Sequence, residues 1–297
     1  MNTSIAVLGP GSVGGTLASV FWKAGISVTC VGRPEHSAAI AEKGINFESS
    51  IFGNYVAHPN AVERLTSPHD IIFITTKAPH LRDALERIAP AAAARSVVIP
   101  LLNGLSHVAQ IRGCLGSRVA AGSISIEALR TPNGAVIHRS PFADIRIASD
   151  HDIAAFQLET ARSLITSSGI GCEIAPSEAD VLWKKLVRLN ALALATAAYN
   201  RTIGELRSDP TARNTIQSCV EEGCAVAERE GVVCDPRVVM DEIDALGAAQ
   251  RSSLARDVAA GKESELDAIA GAIVERGARH NIQCPTIRSL IMIIVSQ

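Results

Sequence analysis

A short apolar run leads directly into a glycine-rich loop near the start of the chain, in the sequence SIAVLGPGSVGG of residues 4–15. The loop fits the pattern G-x-G-x-x-G and consists of Gly9, Pro10, Gly11, Ser12, Val13 and Gly14. In this pattern Gly9 permits a tight turn, Gly11 lets the backbone approach a pyrophosphate, and Gly14 lets the next helix pack closely on the strand. The phosphates then lie on amide groups at the helix N-terminus. Because the loop stands between a predicted strand and a predicted helix, we interpret it as a dinucleotide-binding loop rather than a plain glycine turn.

The alternation of strands and helices around this loop predicts the fold class. Up to about Gly113, β-branched runs alternate with segments of helical period, which is typical of βαβ units on a parallel sheet. The predicted strands are Ser4–Leu8, Ser27–Val31, Ile71–Thr75 and Val97–Leu101. Farther along we expect antiparallel strands that extend the sheet, at Val119–Ile126, Ala135–His138 and Asp144–Ile147. From Pro176 onward nearly every segment has helical spacing.

These patterns predict an α/β fold, with a Rossmann-type doubly wound sheet followed by an all-helical domain. We expect a dinucleotide-binding domain over residues 1–174 and a helical substrate-binding and catalytic domain over residues 175–297. The chain has 297 residues, of which 47% are hydrophobic, so it is long enough for two cores. Its formal net charge of −2 provides no basic field for nucleic acid or anionic lipid, and we expect a small-molecule partner.

Cysteine usage and the apolar segments bear on location and on metals. The seven cysteines form no CxxC pair and have no spaced histidine partner, so we expect no metal site and reduced thiols in a cytoplasmic protein. The N-terminal apolar run has no basic start or cleavage site of a signal peptide. The run Leu290–Val295 is far shorter than the ~20 residues that cross a bilayer. We expect it to end a packed helix and, together with the alanine-rich helices, to be the candidate contact of a homodimer.

The residue at the end of the second strand distinguishes NADPH from NADH. An NAD enzyme places a carboxylate there to accept from the ribose 2′-hydroxyl, whereas this chain has Arg33, whose guanidinium suits a 2′-phosphate. We therefore predict NADPH, although Arg33 could also be a solvated surface arginine and Glu35 is close by. Two more residues follow strands at the edge where ligands bind, Lys77 and Asn103. Lys77 could equally begin a helix, and the Asn103 turn is a common loop pair.

One lysine falls on the apolar face of the first helix of the C-terminal half. At 100° per residue, Lys185 lies within the stripe of Leu182, Leu186 and Leu189, whereas Lys184 lies off it. Burial favours the neutral amine, so such a lysine acquires a pKa suited to proton transfer. The alternative is a lysine whose stem covers apolar surface while its ammonium group reaches water.

A second helix is predicted to begin in the segment Lys262–Asp267, which carries Glu265. Carboxylates in a first helical turn are expected from the helix dipole alone. The local sequence therefore assigns no catalytic or binding role to Glu265. The pair Ser252-Ser253 just upstream is equally ambiguous.

Together these motifs resemble the ketopantoate reductase (2-dehydropantoate 2-reductase) family over the whole chain. The residues that carry the resemblance are Gly9–Gly14 with Arg33, Thr76-Lys77-Ala78, Asn103-Gly104, Trp183-Lys184-Lys185-Leu186, Ile203-Gly204-Glu205-Leu206 with Asp209-Pro210, and Ser253 with Glu265. The resemblance implies a Rossmann domain followed by a helical domain similar to that of 6-phosphogluconate dehydrogenase, with the active site in the cleft between them. It also implies an NADP-dependent oxidoreductase that acts on CH–OH groups in pantothenate biosynthesis.

The resemblance assigns a role to each site residue. It makes Lys185 the acid that protonates the carbonyl oxygen, and Glu265 the carboxylate near that lysine and a substrate hydroxyl. It places Ser253 on the substrate carboxylate and Asn103 between cofactor and substrate. On this basis Lys185 and Glu265 are the expected catalytic residues, Asn103, Ser253 and Lys185 bind the keto acid, and residues 9–14, Arg33, Lys77 and Asn103 bind NADPH.

The sequence departs from the family at three substrate-pocket positions. Asparagines of the family are replaced here by Leu189, Ala193 and Ile203, and the nearby Asn190 points about 100° away from Leu189. The pocket is therefore less polar than expected for ketopantoate, and because buried polar groups discriminate strongly between hydroxylated and plain substrates, the exact substrate stays open. The sequence therefore leaves three functions open: reduction of ketopantoate, reduction of a less polar ketone, 3-hydroxy acid or imine, and NADPH binding without turnover.

Overall fold

The chain forms two compact units. The computed structural model describes residues 3–116, 118–151 and 153–297. The first unit contains residues up to Leu102 together with His107–Val181, and the second contains Asn103–Ser106 and Leu182–Gln297. The short segment Asn103–Ser106, which follows a strand of the first unit, therefore belongs with the helices of the second.

The first unit contains twelve strands and six α-helices among its described residues. The strands are β1 Ser4–Leu8, β2 Ser27–Val31, β3 Ile45–Ser49, β4 Tyr55–Ala57, β5 Asn60–Val62, β6 Ile71–Ile74, β7 Val97–Pro100, β8 Ala121–Ser125, β9 Ala128–Arg130, β10 Val136–His138, β11 Asp144–Ala148 and β12 Gly171–Ile174. The helices are α1 Ser12–Lys23, α2 Pro34–Lys43, α3 Leu81–Leu85, α4 Pro90–Ala93, α5 His107–Leu115 and α6 Ala155–Ser167, with a 3₁₀ turn at Ala78–His80.

The main sheet of this unit is parallel and has the order β5-β2-β1-β6-β7. Counting only these five strands, the order is 3-2-1-4-5, that of a doubly wound Rossmann sheet, and it confirms the predicted fold class. The strand order reverses between β1 and β6, so ligands are expected beyond the carboxyl ends of these two strands. All of β6 and all of β1 beyond Ser4 are apolar and buried, because helices cover a parallel sheet on both faces.

The later strands were expected to extend this sheet in antiparallel fashion, and that expectation is wrong: a single parallel bridge joins Val119 to Val98 of β7, and the strands themselves lie in other sheets. Strands β8 and β11 pair antiparallel, as predicted for this region, but in a separate three-stranded sheet with the order β12-β11-β8. Strand β10 belongs to a four-stranded sheet with the order β4-β3-β10-β9. This sheet packs against α1, so its buried residues Phe47 and Val136 already have a hydrophobic partner.

The second unit is helical, as predicted. Its helices are α7 Glu178–Ala198, which begins in the first unit, α8 Ile203–Arg207, α9 Pro210–Arg229, α10 Pro236–Asp244, α11 Ser253–Ala259, α12 Ala272–Arg279 and α13 Pro285–Val295, with a π-helical segment at Asp267–Gly271. Helices α9, α10 and α13 each begin with proline, and the carboxylates of Asp209 and Asp235 accept from the first-turn amides of α9 and α10.

Two further expectations concern individual segments. The helix predicted to begin within Lys262–Asp267 begins at Leu266, so residues 262–265, including Glu265, precede it and form no helical turn. Helix α13 buries Ile287, Leu290 and Ile294 on one face and exposes Met292 and Val295 on the other.

No helix in the described part of the chain is long and apolar enough to span a membrane. Those same residues contain no group of three histidine, cysteine or acidic side chains that could hold a metal ion. Among the free cysteines, Cys224 and Cys234 place their sulfur atoms 2.8 Å apart.

Candidate active site

The dinucleotide loop of the first unit is held by hydrogen bonds between β1, β2 and β6. Gly9 adopts a φ of +85°, and its amide donates to the Val31 carbonyl over 2.9 Å. The Thr75 hydroxyl at the end of β6 donates to the carbonyls of Leu8 and Gly9 over 3.0 and 2.8 Å. A side chain at Gly14 would lie 2.3 Å from this hydroxyl and 2.5 Å from the Gly9 carbonyl oxygen. The loop therefore requires glycine at both positions for its own packing.

The second glycine of the loop, Gly11, faces open space, which is the fit expected for a bound pyrophosphate. A Cβ atom at Gly11 would meet nothing closer than the Gly9 carbonyl oxygen at 3.9 Å. Gly11 also caps α1, whose first amides have no partner within the helix. Beside the loop, the Thr76 hydroxyl is buried and has no hydrogen-bond partner among the described residues. An unsatisfied donor next to free helix amides fits a phosphate or ribose oxygen of a dinucleotide.

The two cationic residues predicted for this site follow its strands. Arg33 is exposed and precedes the first turn of α2, one residue beyond the Gly32 that follows β2. Lys77 is half-buried and precedes the 3₁₀ turn after β6. The backbone of Lys77 therefore agrees with the alternative that this residue begins a helical turn, and cofactor binding by its side chain stays a prediction.

In the second unit, α7 places Lys185 beside Leu182 and Leu189, as the helical wheel predicts, but on a half-buried side of the helix, whereas the fully buried side holds Trp183 and Val187. Leu186 is buried and Leu182 and Leu189 are half-buried, like Lys185 itself, whereas Lys184 is exposed. Burial lowers the pKa of Lys185 from 10.5 to about 8, against the opposing effect of the Glu265 carboxylate. The Arg188 guanidinium one turn later adds to the lowering.

Asn103 and Glu265 are hydrogen-bonded across 162 residues of sequence. The Asn103 side-chain amide donates to Glu265 Oε2 over 2.9 Å, and Glu265 is buried. Gly104 has a φ of +98°, and a Cβ atom there would lie 2.5 Å from the carbonyl oxygen of Ala268 in the π-helical segment. Because this close approach needs glycine, the Asn-Gly pair fixes Asn103 against the segment that carries Glu265.

The structure therefore brings three predicted residues into one cluster, Lys185, Glu265 and Asn103. A lysine whose pKa lies near neutrality, paired with a carboxylate, can donate a proton to a developing alkoxide. The π-helical segment beside Glu265 is an unusual feature that often marks functional sites.

Ser253 is not part of this cluster by any hydrogen bond between described residues. It is the exposed first residue of α11. Its neighbour Ser252 is buried, caps α11 by accepting from the Ala255 amide, and lies 2.9 Å from the Thr196 hydroxyl of α7. Ser252 thus has a structural role, and substrate contact by Ser253 stays a prediction.

The positions that depart from the family are apolar and largely buried. Ala193 and Ile203 are fully buried, and Leu189 is half-buried. Asn190 is fully buried, and neither its amide nitrogen nor its amide oxygen has a hydrogen-bond partner among the described residues.

Some residues of interest carried little sequence signal. Thr76 was part of a recognised motif, but its unsatisfied hydroxyl becomes visible only once β6 is packed beside β1. Arg130 lies 97 residues beyond Arg33, yet the charges of the two are close enough to interact. No sequence pattern predicts that Arg130 lies near Arg33, because the folding of the β9–β10 hairpin brings the two together.

Both parts of the chain match models of one family. Residues 5–149 match the family described as Ketopantoate reductase PanE/ApbA, and residues 179–296 match the description Ketopantoate reductase PanE/ApbA C terminal. The 2-dehydropantoate 2-reductase of Caulobacter vibrioides is 30% identical over 293 residues, with 95% of each chain covered.

Solved structures agree with these matches. A PanE/ApbA family ketopantoate reductase from Ralstonia eutropha JMP134 has a TM-score of 0.87 at 26% identity, covering 98% of this chain and 97% of that one. D-mandelate dehydrogenase in a ternary structure with NADH and anilino(oxo)acetate has a TM-score of 0.89 at 19% identity, covering 99% and 98%. The second likeness shows a shared fold alone.

Proposed function

Because this chain belongs to the ketopantoate reductase PanE/ApbA family, we propose that it uses NADPH to reduce 2-dehydropantoate (ketopantoate) to pantoate. Membership makes it a nicotinamide-dependent oxidoreductase of the 2-dehydropantoate 2-reductase type, acting on CH–OH groups. The observation that carries the proposal is Lys185, whose pKa of about 8 arises from burial beside Glu265. Asn103 supports it by binding that carboxylate.

Lys185 is the proton donor in this proposal. When bound, the reduced nicotinamide supplies a hydride to the carbonyl carbon. The carbonyl oxygen then gains negative charge, which Lys185 neutralises by giving up a proton. With a pKa of about 8, about nine in ten Lys185 side chains are protonated at pH 7, and each releases its proton more readily than an exposed lysine. Burial also stabilises the neutral amine that remains.

Glu265 and Asn103 set the state of the lysine. The carboxylate favours the ammonium form against the cost of burial, so Lys185 stays charged at neutral pH. The Asn103 amide donates a hydrogen bond to Glu265 Oε2 and so holds the carboxylate in place; in this proposal the same carboxylate contacts a substrate hydroxyl. In the same proposal Ser253 contacts the substrate carboxylate.

A matched pair of variants tests the role of Lys185. We expect Lys185→Ala to lose at least about 100-fold in kcat for NADPH oxidation with ketopantoate, the usual contribution of a positioned acid. Lys184→Ala, which removes an exposed lysine from the adjacent position, is expected to keep the parental rate. Equal rates in the two variants would contradict the proposal. NADPH binding without turnover by the parental chain would instead support a sensor.

The cofactor assignment has its own test. A charge-assisted hydrogen bond contributes about 1.5–3 kcal/mol, so Arg33→Ala is expected to weaken NADPH binding by about 10- to 100-fold and to leave NADH binding unchanged. Gly14→Ala is expected to abolish binding of both cofactors because its Cβ atom collides with Thr75 and Gly9, whereas Gly113→Ala has open space and serves as control. Equal affinity of the parental chain for NADH and NADPH would refute the preference.

A second substrate is favoured by the apolar pocket positions. Leu189, Ala193 and Ile203 offer no amide to a substrate hydroxyl, which suits a 2-keto acid with an apolar side chain. Comparison of kcat/KM for ketopantoate with that for branched-chain and aromatic 2-keto acids decides between the two. If kcat/KM for ketopantoate is no higher than that for the apolar 2-keto acids, ketopantoate is not the preferred substrate.

The setting of the reaction completes the proposal. We place it in pantothenate biosynthesis in the cytoplasm, and we propose a homodimer that uses the exposed apolar face of α13, including Met292 and Val295. Light scattering after size-exclusion chromatography tests the dimer, and a mass equal to one chain of 31.2 kDa would contradict it.

A further inference from the structure

A cavity beside the dinucleotide loop is lined by cations and by no carboxylate. It has a volume of about 390 Å³ and lies between α2 and the turn that joins β9 to β10. Its polar lining includes His36 and Lys43 from α2, and Arg130 and Asn133 from the hairpin. Pro10 of the loop forms one wall. A cavity with this lining suits an anion attached to whatever the loop binds.

In this region, arginine side chains lower the pKa of nearby basic groups. Burial, then the charges of Arg130 and Arg33, lower the pKa of His36 to about 4. Burial and the charge of Arg33 also lower the pKa of Arg130. The part of the chain that the structure describes contains no ion pair to either arginine. Two like charges that are held close together without a carboxylate are unfavourable unless an anion joins them.

The hairpin fixes where Arg130 stands. Arg130 is the last residue of β9 and pairs with Val136 of β10, so it lies directly at the turn. Gly134 completes that turn with a φ of +91°, and a Cβ atom there would lie 3.5 Å from the Arg130 guanidinium. Arg33 approaches from another element, as the residue that precedes the N-terminus of α2. Two guanidinium groups whose charges are close enough to interact can share the three outer oxygens of one phosphomonoester.

We propose that Arg130 is a second determinant of cofactor specificity, which together with Arg33 and His36 forms a phosphomonoester subsite for the ribose 2′-phosphate of NADPH. Like the proposed function on which it rests, this subsite requires a dinucleotide in the loop. It extends that function by giving the hairpin between β9 and β10, rather than the end of β2 alone, a share in discriminating NADPH from NADH. His36, which is neutral at pH 7, contributes a ring nitrogen as hydrogen-bond partner.

Binding of cofactor fragments tests the subsite without any turnover. Isothermal titration calorimetry at pH 7 compares adenosine 2′,5′-bisphosphate, which carries the 2′-phosphate, with 5′-AMP, which lacks it. We expect Arg130→Ala to weaken the bisphosphate by about 10- to 100-fold and to change 5′-AMP by less than about twofold. Arg139→Ala removes an exposed arginine just beyond the opposite end of β10 and is expected to change neither. Thermal unfolding confirms that the variants fold.

The outcomes separate this inference from the proposed function. If the parental chain prefers the bisphosphate and Arg130→Ala keeps the full preference, Arg130 has no part in the subsite. If the parental chain has no preference, the NADPH assignment of the proposed function fails as well. Inorganic phosphate distinguishes the source of the anion: competition with the bisphosphate only at millimolar concentration supports a ribose phosphate. Binding of phosphate as tight as that of the bisphosphate would overturn the subsite as part of the cofactor site.

Discussion

Replacing Glu265 with glutamine removes the charge that opposes desolvation at Lys185. Burial takes the pKa of Lys185 from 10.5 to about 8 even though the Glu265 carboxylate raises it. Glutamine keeps the size of the side chain and an oxygen for the Asn103 amide, so the hydrogen bond between them can persist. With the negative charge gone, the pKa of Lys185 is expected to fall farther.

The size of the fall follows from the usual effect of a neighbouring charge. An opposite charge within reach shifts a pKa by about 1–3 units, so Lys185 in Glu265→Gln should titrate between about 5 and 7. A general acid acts only while it is protonated, and the limb of the profile at which kcat/KM falls with rising pH moves with it. At pH 7.5 the protonated fraction drops by about threefold for a one-unit shift and about 200-fold for three units.

The assay is the pH dependence of kcat/KM for NADPH oxidation between pH 5 and 10. The parental chain is expected to lose rate as the pH rises through about 8, and Glu265→Gln to lose it at lower pH. Glu263→Gln removes an exposed carboxylate two residues earlier and should leave the limb in place. A limb that stays at pH 8 in Glu265→Gln, or moves upward, would refute the coupling of the two side chains.

Two further predictions concern the stability of the helical second unit. Gly104→Ala should destabilise the protein more than Gly231→Ala. Both glycines have a positive φ, so either substitution costs about 1–3 kcal/mol of backbone strain, but only the Cβ atom at position 104 also collides with the Ala268 carbonyl. Equal melting temperatures of the two variants would contradict this prediction. Asn190→Leu removes a buried amide without partners and should stabilise folding by about 1–3 kcal/mol, which a higher urea midpoint would report. A lower midpoint would mean that the amide has a partner after all.

Local sequence patterns were sufficient to predict that the glycine-rich loop lies between a strand and a helix, and on which side of α7 Lys185 lies. The loop is a contiguous run between a strand and a helix, and two of its glycines, Gly9 and Gly14, have a steric reason within that run or the end of the neighbouring strand. The position of Lys185 follows from helical periodicity over one helix, α7. In both cases the deciding interactions lie close together in sequence or follow a fixed period.

Pairings between distant segments could not be derived in this way. Whether β10 joins the parallel sheet or a separate sheet depends on which hydrophobic face packs against α1. The alternation of apolar and polar residues along β10 does not predict which sheet it joins. Strands β4 and β5 are only three residues long, too short for a period to be recognised. The carboxylates after Lys262 suggested a first helical turn, but Glu265 precedes the π-helical segment and binds Asn103 instead.

The most direct test of the central claim is a titration of the Lys185 side chain itself. Lysine methylene and amine signals followed by NMR from pH 6 to 11, and assigned by their loss in Lys185→Arg, report its pKa in the folded chain. We expect a midpoint near pH 8, well below the ordinary lysine value of 10.5. A midpoint near the ordinary value of 10.5 would show that Lys185 is a solvated lysine and not a proton donor poised for carbonyl reduction.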